Sequence, residues 1–79
     1  MEAQDIADVI RMHRMAAKLS RVQLAEMAGV GKTVIYDIEN GKESVQLNTL
    51  RKIFKILNIR IILTSPLMEN IHTTVNEKG

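Results

Sequence analysis

Residues 19–42, LSRVQLAEMAGVGKTVIYDIENGK, contain two short helical patterns separated by a turn. Ser20 lies three residues before Gln23, which is the spacing of a capping box and predicts a helix that runs to Ala28. Gly29 follows, and glycine most readily adopts the left-handed conformation that ends a helix. The first half of the stretch is therefore predicted to be a short helix that stops at Gly29.

The second half of the stretch predicts another helix, from Lys32 to Asn40, which ends before Gly41. Its apolar residues lie on one side of a helix: Val34, Ile35 and Ile38. Only Val30 and Gly31 separate the two patterns. Because two short helices joined by a glycine-containing turn form a helix-turn-helix, the stretch predicts that motif.

The letters GVGKT at residues 29–33 also match the end of a phosphate-binding loop. That motif requires a glycine five residues before Gly31, and this chain has Glu26 at that position. It also requires a strand that leads into the loop, whereas residues 19–28 predict a helix. A nucleotide-binding loop is therefore excluded, and the lysine and threonine need another role.

Two further helical patterns flank the helix-turn-helix. The first covers about residues 5–18, with apolar residues at roughly helical spacing: Ile6, Val9, Ile10, Ala17 and Leu19. The other begins at Asn48, which can cap a helix, and ends at Asn58. Its apolar residues follow the spacing of one helix face: Leu50, Ile53, Phe54 and Leu57. Residues 1–58 are therefore predicted to form a four-helix domain.

The pattern changes after the fourth helix. Residues 59–64, IRIILT, are rich in β-branched residues and predict a β-strand that Pro66 stops. Its apolar residues are Ile59, Ile61, Ile62 and Leu63. A strand needs a hydrogen-bonding partner, and the sequence shows no second strand pattern. We expect the same strand of a second copy to pair with it antiparallel in a homodimer, with a fifth helix or a disordered extension as the alternative. Residues 65–79 are expected to be a flexible tail.

The composition limits the class of protein. A chain of 79 residues, of which 46% are hydrophobic and 25% charged, fits one small globular domain. It has no cysteine, which excludes disulfides and thiolate metal sites. Met1 is followed by acidic residues, and no apolar run is long enough to span a membrane, so we expect a cytoplasmic protein.

The net charge of +2 conceals two basic segments. Residues 11–32 contain five basic residues against one acidic residue, and residues 42–60 have the same ratio. Such blocks suit an anionic partner such as nucleic acid, although ordinary solvated side chains explain the charge pattern equally well. His13 and His72 are far apart in the sequence and have no companion ligands, so we expect no metal, cofactor or catalytic role.

The central stretch resembles the signature of the XRE/Cro/lambda-repressor family. The matching residues are Leu19, Ser20, Leu24, Ala25, Gly29, Val30, Ile35, Ile38, Glu39 and Gly41. The resemblance covers about residues 8–58 and implies an all-α, four-helix, lambda-repressor-like DNA-binding domain. Residues 39–63, ENGKESVQLNTLRKIFKILNIRIIL, resemble the HipB-like antitoxin branch of that family, in which the C-terminal strands of two protomers pair.

The resemblance implies a set of DNA-contacting residues, because the second helix of the motif enters the major groove. The residues expected to read bases lie near its N-terminus: Lys32, Thr33, Tyr36 and Asp37. Contacts with phosphate are expected from the start of the first motif helix and from beyond the second: Ser20, Arg21, Asn40 and Lys42. Packing is the alternative role for Tyr36.

Two positions depart from the family pattern. The family usually has glutamine at the position of Arg21, where it grips phosphate and braces the recognition helix. It usually has serine or threonine at the position of Gly31. Glycine is a weaker helix cap than either residue and offers no side-chain contact with phosphate. We expect some loss of affinity for DNA, which Lys32 and Arg21 offset electrostatically.

One arginine calls for a structural explanation. Arg14 lies between apolar residues on one face of the first predicted helix, an awkward place for a charge. The resemblance implies that it pairs with Glu39, which ties the first helix to the recognition helix. This ion pair is expected to be structural, with no direct contact with DNA.

The resemblance implies a homodimeric, sequence-specific transcriptional repressor that is not an enzyme. It would bind a palindromic operator on double-stranded DNA, with half-sites about one helical turn apart or slightly more. The HipB-like branch further implies an antitoxin that binds and neutralises a HipA-type kinase toxin and represses the shared operon. The alternatives are a stand-alone XRE-family regulator of phage or metabolic genes and an adaptor that does not bind DNA.

Overall fold

The helix-turn-helix forms where the sequence predicts it. The computed structural model of the protein describes residues 2–68 and 73–74. Helix α2 spans Arg21–Ala28 and helix α3 spans Lys32–Glu39. With one helix before them and one after, the predicted all-α, four-helix architecture is confirmed.

The predicted caps of α2 are confirmed. Ser20 is the N-cap, and its Oγ accepts a hydrogen bond from the Gln23 backbone N–H over 3.0 Å. The Gln23 side chain completes the capping box because its Oε1 accepts from the Ser20 N–H over 2.8 Å. Gly29 ends the helix with a φ of 74°, in the left-handed region. A Cβ at this position would have open space around it, so the backbone conformation alone favours glycine.

Helix α1 spans Ala3–Ala16, two residues earlier at each end than the range predicted from the apolar spacing. It starts early because the Asp5 side chain accepts a hydrogen bond from the Glu2 N–H within the first turn. It stops early because Lys18 adopts a left-handed φ of 59°, and the Leu19 N–H donates back to a carbonyl of the last turn. Lysine gives no sequence signal for this conformation.

Helix α4 spans Leu47–Leu57. The prediction that Asn48 caps it is wrong, because Gln46 is the N-cap and its carbonyl accepts the first hydrogen bonds of the helix. Asn58 ends the helix, as the sequence predicts, and it adopts the left-handed conformation with a φ of 60°.

The core binds the four helices together and leaves one side of α3 free. Helix α3 packs against α1 and α2, and α4 packs against the same two helices. The buried apolar side chains that form the core are Ile10, Leu24, Ala25, Ile35, Ile38, Ile53, Phe54 and Leu57. Because α3 contributes Ile35 and Ile38 to this core, its opposite side faces solvent.

The strand region differs from the prediction. Strand β1 covers only Ile62–Leu63, and strand β2 covers Thr73–Thr74 in the segment expected to be a flexible tail. The two strands pair antiparallel, with Ile62 opposite Thr74 and Leu63 opposite Thr73. The expectation that the chain holds no second strand is therefore wrong. The sequence did not reveal β2 because two threonines carry too little pattern for a strand to be predicted.

The four apolar residues assigned to the strand divide into two pairs. Ile59 and Ile61 are half-buried and pack against the core of their own chain. Ile62 and Leu63 are 55% and 59% exposed. A short 3₁₀ helix follows at Pro66–Met68. His72, one of the two histidines considered as possible ligands, lies outside the described residues. Across residues 2–68 and 73–74, none of the helices has the length and apolar character needed to cross a membrane.

Candidate nucleic-acid interface

The solvent-facing side of α3 carries all four residues that were expected to read bases. Lys32 and Thr33 are exposed in its first turn, and Tyr36 is 56% exposed one turn later. Asp37 is half-buried beside it. The apolar side of the same helix is buried, so packing sets which side faces outward.

The negative charge on this surface has a basic neighbour. Lys42 Nζ lies 4.0 Å from Asp37 Oδ2, and both side chains are about half exposed. An exposed pair of this kind contributes little to stability. It does reduce the unfavourable field that Asp37 would present to a polyanion.

Two of the expected phosphate-contacting residues, Ser20 and Asn40, also cap helices. Ser20 is exposed at the start of α2, where its oxygen is already a hydrogen-bond acceptor and its O–H remains a donor. Asn40 is exposed at the end of α3, and its Nδ2 donates to the Tyr36 carbonyl over 2.7 Å. Asn40 lies directly beyond the last turn of α3, and Ser20 precedes the first turn of α2, the helix that packs against α3.

Gly31 is the N-cap of α3 and supplies no side-chain hydrogen bond to the first turn. Its φ of −69° is one that any residue adopts, and an added Cβ would meet Val34 at an ordinary 3.8 Å. Neither backbone conformation nor crowding therefore requires glycine here. The first turn of α3 keeps backbone N–H groups unsatisfied by a capping side chain, which suits an anionic partner.

Glu39, in the last turn of α3, holds the helices around this surface in place. The residue is 1% exposed, and among the described residues it is the one charged residue that is buried. Arg14 of α1 donates to it twice, from Nε to Oε2 over 2.6 Å and from Nη2 to Oε1 over 3.1 Å. Such a bidentate pair fixes both position and orientation. Arg14 also donates from Nη1 to the Leu19 carbonyl over 2.9 Å, which ties in the loop before α2.

Arg21 of α2 reaches the same carboxylate. Its Nε donates to Glu39 Oε1 over 3.0 Å, and its guanidinium carbon lies 5.7 Å from the centroid of the Tyr36 ring. The side chain is 44% exposed, so it lies at the boundary between the core and solvent. Arg21 therefore braces α3 from α2, which is the interaction that the replacement of glutamine had placed in question.

Arg11 of α1 is a third contact that the sequence reasoning missed. Its Nη2 donates to the Glu39 backbone carbonyl, and its Nε lies 3.9 Å from Oε1. It also pairs with Asp8 at 3.4 Å on the surface of α1. The available signal was its position three residues before Arg14, which places both arginines on one side of α1.

The charge state of Glu39 reflects these contacts. Burial raises the pKa of its carboxyl, but the hydrogen bonds from Arg14 and Arg21 and the charges of both guanidinium groups lower it by more. The pKa therefore lies below its ordinary value of 4.5, and Glu39 is ionised at neutral pH.

Comparisons with known proteins agree with this geometry. Residues 10–63 match the helix-turn-helix family HTH_3. The chain is 32% identical over 62 residues to the Uncharacterized HTH-type transcriptional regulator y4mF of Sinorhizobium fredii, an alignment that covers 78% of this chain and 82% of that protein. It is 36% identical over 56 residues to the Control protein C.SmaI of Serratia marcescens, an alignment that covers 71% of this chain and 67% of that protein.

A solved structure shares the fold. The chain superposes on a structure described as MDT Protein with a TM-score of 0.74, over 84% of this chain and 93% of that one. The two sequences are 21% identical, so this similarity concerns the fold alone.

We expect Arg14→Met to lower the free energy of unfolding at neutral pH by about 3 kcal/mol, because it leaves the buried Glu39 carboxylate with weaker partners. Arg11→Met serves as the comparison and should cost less, about 1–2 kcal/mol, because Arg11 is 38% exposed and donates to the Glu39 backbone carbonyl, while its Nε lies 3.9 Å from the carboxylate. Urea unfolding followed by circular dichroism measures both. Equal losses for the two variants would contradict the assignment.

The same comparison has a definite pH dependence. Because the folded-state pKa of Glu39 is depressed, its contribution is fully present above the ordinary value of 4.5 and is lost as the pH falls through the folded-state pKa. The difference in stability between wild type and Arg14→Met should therefore shrink in acid. A difference that stays constant or grows below that value would show that the ion pair does not carry the effect.

Proposed function

Because the chain belongs to the helix-turn-helix family, whose match covers more than half of its residues, we propose that it is a sequence-specific DNA-binding regulator of transcription. One observation carries the proposal: the side of α3 that faces solvent presents Lys32, Thr33 and Tyr36, while its opposite side is locked into the core. A helix held in this way can enter the major groove as a rigid unit.

The chemistry of these side chains suits base edges. Lys32 can donate to the O6 and N7 acceptors of guanine, and Thr33 can form a hydrogen bond or contact the methyl group of thymine. Tyr36 offers an aromatic face and a hydroxyl one turn further along the groove. Asp37 can accept from the amino group of cytosine.

The surrounding residues suit the DNA backbone. Ser20 and Arg21 lie at the start of α2, and Asn40 and Lys42 lie beyond the end of α3. Their hydroxyl, amide and cationic groups can all donate to phosphate oxygens. The relatives named as a transcriptional regulator and as a control protein support a regulatory role.

A homodimer is the second part of the proposal. Two copies related by a two-fold axis would place two α3 helices in successive major grooves and read a palindrome. Within the described residues β1 pairs on one edge with β2, so its other edge is open to a strand of a second copy. Ile62 and Leu63 supply exposed apolar side chains at that position.

The finer proposal is an antitoxin that binds a HipA-type kinase and represses its own operon. Its support is the resemblance of residues 39–63 to HipB-like proteins, together with a strand that follows α4. A stand-alone regulator lacks the kinase partner, and an adaptor lacks affinity for DNA. Experiments on the same purified protein separate these three functions.

The first prediction concerns DNA. Lys32→Ala should weaken binding to duplex DNA from the region upstream of the protein's own gene by about 5- to 150-fold, the value of one base-specific contact. Lys55→Ala, at an exposed position of α4, removes the same charge and should bind within about twofold of wild type. Fluorescence anisotropy of labelled duplexes at several salt concentrations measures both variants. Equal affinities for Lys32→Ala and wild type would contradict the assignment of α3.

The second prediction concerns the dimer. Leu63→Asp should convert the protein from a dimer to a monomer in sedimentation velocity, because a carboxylate would replace an exposed apolar side chain at the proposed contact. Leu67→Asp is the matched control, since Leu67 is 93% exposed and lies outside β1. A wild type that sediments as a monomer, or a Leu63→Asp variant that remains a dimer, would rule out this interface.

The third prediction concerns the kinase. When the tagged protein is co-expressed with the HipA-type kinase encoded next to its gene, the two should co-purify. Lys32→Ala should retain the kinase while its binding to DNA weakens, because Lys32 is proposed to contact a base and not the kinase. The absence of a neighbouring kinase gene, or a kinase that does not co-purify, would reject the antitoxin role and leave the stand-alone regulator.

A further inference from the structure

We infer that Arg21 is a positioning residue, which holds the Tyr36 ring in the orientation used to read DNA and is itself anchored by Glu39. This inference rests on the proposed DNA-binding function. It differs from the phosphate-contacting role expected for Arg21 because it assigns the arginine an effect on base discrimination through a second side chain.

The anchor of Arg21 is rigid. Its Nε donates to Glu39 Oε1 over 3.0 Å, and the carboxylate is fully buried and also held by the bidentate contact of Arg14 with both of its oxygens. An arginine tied to a fixed carboxylate loses most of the freedom that a surface arginine has. The guanidinium group of Arg21 is therefore anchored at its Nε, while 44% of the side chain remains exposed to solvent.

The Tyr36 ring lies below the guanidinium group of Arg21. The guanidinium carbon is 5.7 Å from the ring centroid, within the range of a cation–π contact. Tyr36 precedes Glu39 by three residues on α3, so both side chains project from neighbouring positions on the helix. Arg21 thus bridges two residues of α3 from outside the helix.

The ring needs such support because it is 56% exposed. An unsupported tyrosine at this position would sample several rotamers, and DNA would have to order it at an entropic cost. Ordering it in the free protein lowers that cost and favours one set of base contacts. Within residues 2–68 the two terminal amino groups of Arg21 make no hydrogen bond, so the arginine can hold the ring and still approach the DNA.

The first arm of the test needs no DNA. The chain has one tyrosine and no tryptophan, so its ultraviolet emission reports on Tyr36 alone. Arg21→Gln and Arg21→Lys should both lower the emission anisotropy and increase quenching by acrylamide, since lysine lacks the planar group that spans the carboxylate and the ring. Lys55→Gln is the control and should change neither value. Unchanged anisotropy in both Arg21 variants, with circular dichroism showing a folded protein, overturns the inference.

The second arm measures base discrimination. Arg21→Lys should reduce discrimination at the same base pair that Tyr36→Leu affects, while the slope of log affinity against log salt stays unchanged. The double variant should lose less than the product of the single losses, by about threefold or more. If Arg21 instead contacts phosphate alone, Arg21→Lys keeps discrimination, and Arg21→Gln weakens all sequences equally with a slope smaller by about 0.9. That result overturns the inference.

The two arms separate this inference from the proposed function. A wild type that binds no duplex DNA refutes the proposed function and removes the reading role of the ring. The emission measurements still decide whether Arg21 holds Tyr36. Loss of anisotropy together with additive effects on DNA binding would show that the ring is held but not used, which also overturns the inference.

Discussion

The buried carboxylate of Glu39 is the constraint on which the arrangement of this small domain depends. It lies in the last turn of the helix proposed to read DNA, and it accepts hydrogen bonds from Arg14 of α1 and Arg21 of α2. The buried apolar cluster consists of eight side chains, and it sets the spacing of the helices and which side of α3 is buried. The bidentate ion pair adds a directional restraint, because its hydrogen bonds are satisfied only in a narrow range of geometries.

This constraint connects stability to recognition. An exposed helix face can discriminate between base pairs only if it is held rigidly, and α3 has eight residues and no side-chain N-cap to order its first turn. The contacts of Glu39 in its last turn therefore contribute more to holding the helix in place. Arg21 extends them to the surface, where its guanidinium lies over Tyr36. One continuous set of contacts thus leads from the core to the residues proposed to read bases.

Local signals made much of this predictable from the sequence. The Ser20 capping box, the glycine at position 29 and the left-handed Asn58 all act through the residue's own chemistry. The start of α4 and the end of α1 were less predictable, since Gln46 and Lys18 have no strong preference for the conformations they adopt. The contacts of Arg11 and Arg21 with Glu39 join residues 28 and 18 positions apart, so they follow from tertiary packing that no local pattern encodes.

The most direct test of this account is a pH titration of the Glu39 carboxyl carbon by NMR in the folded, DNA-free protein. If Glu39 is the buried anion that orients α3 through its hydrogen bonds with two arginines, the chemical shift of its carboxyl carbon should titrate with a midpoint below pH 4.5. A midpoint at or above that value would mean that burial outweighs the arginines. In that case Glu39 would not be the group that holds the three helices together.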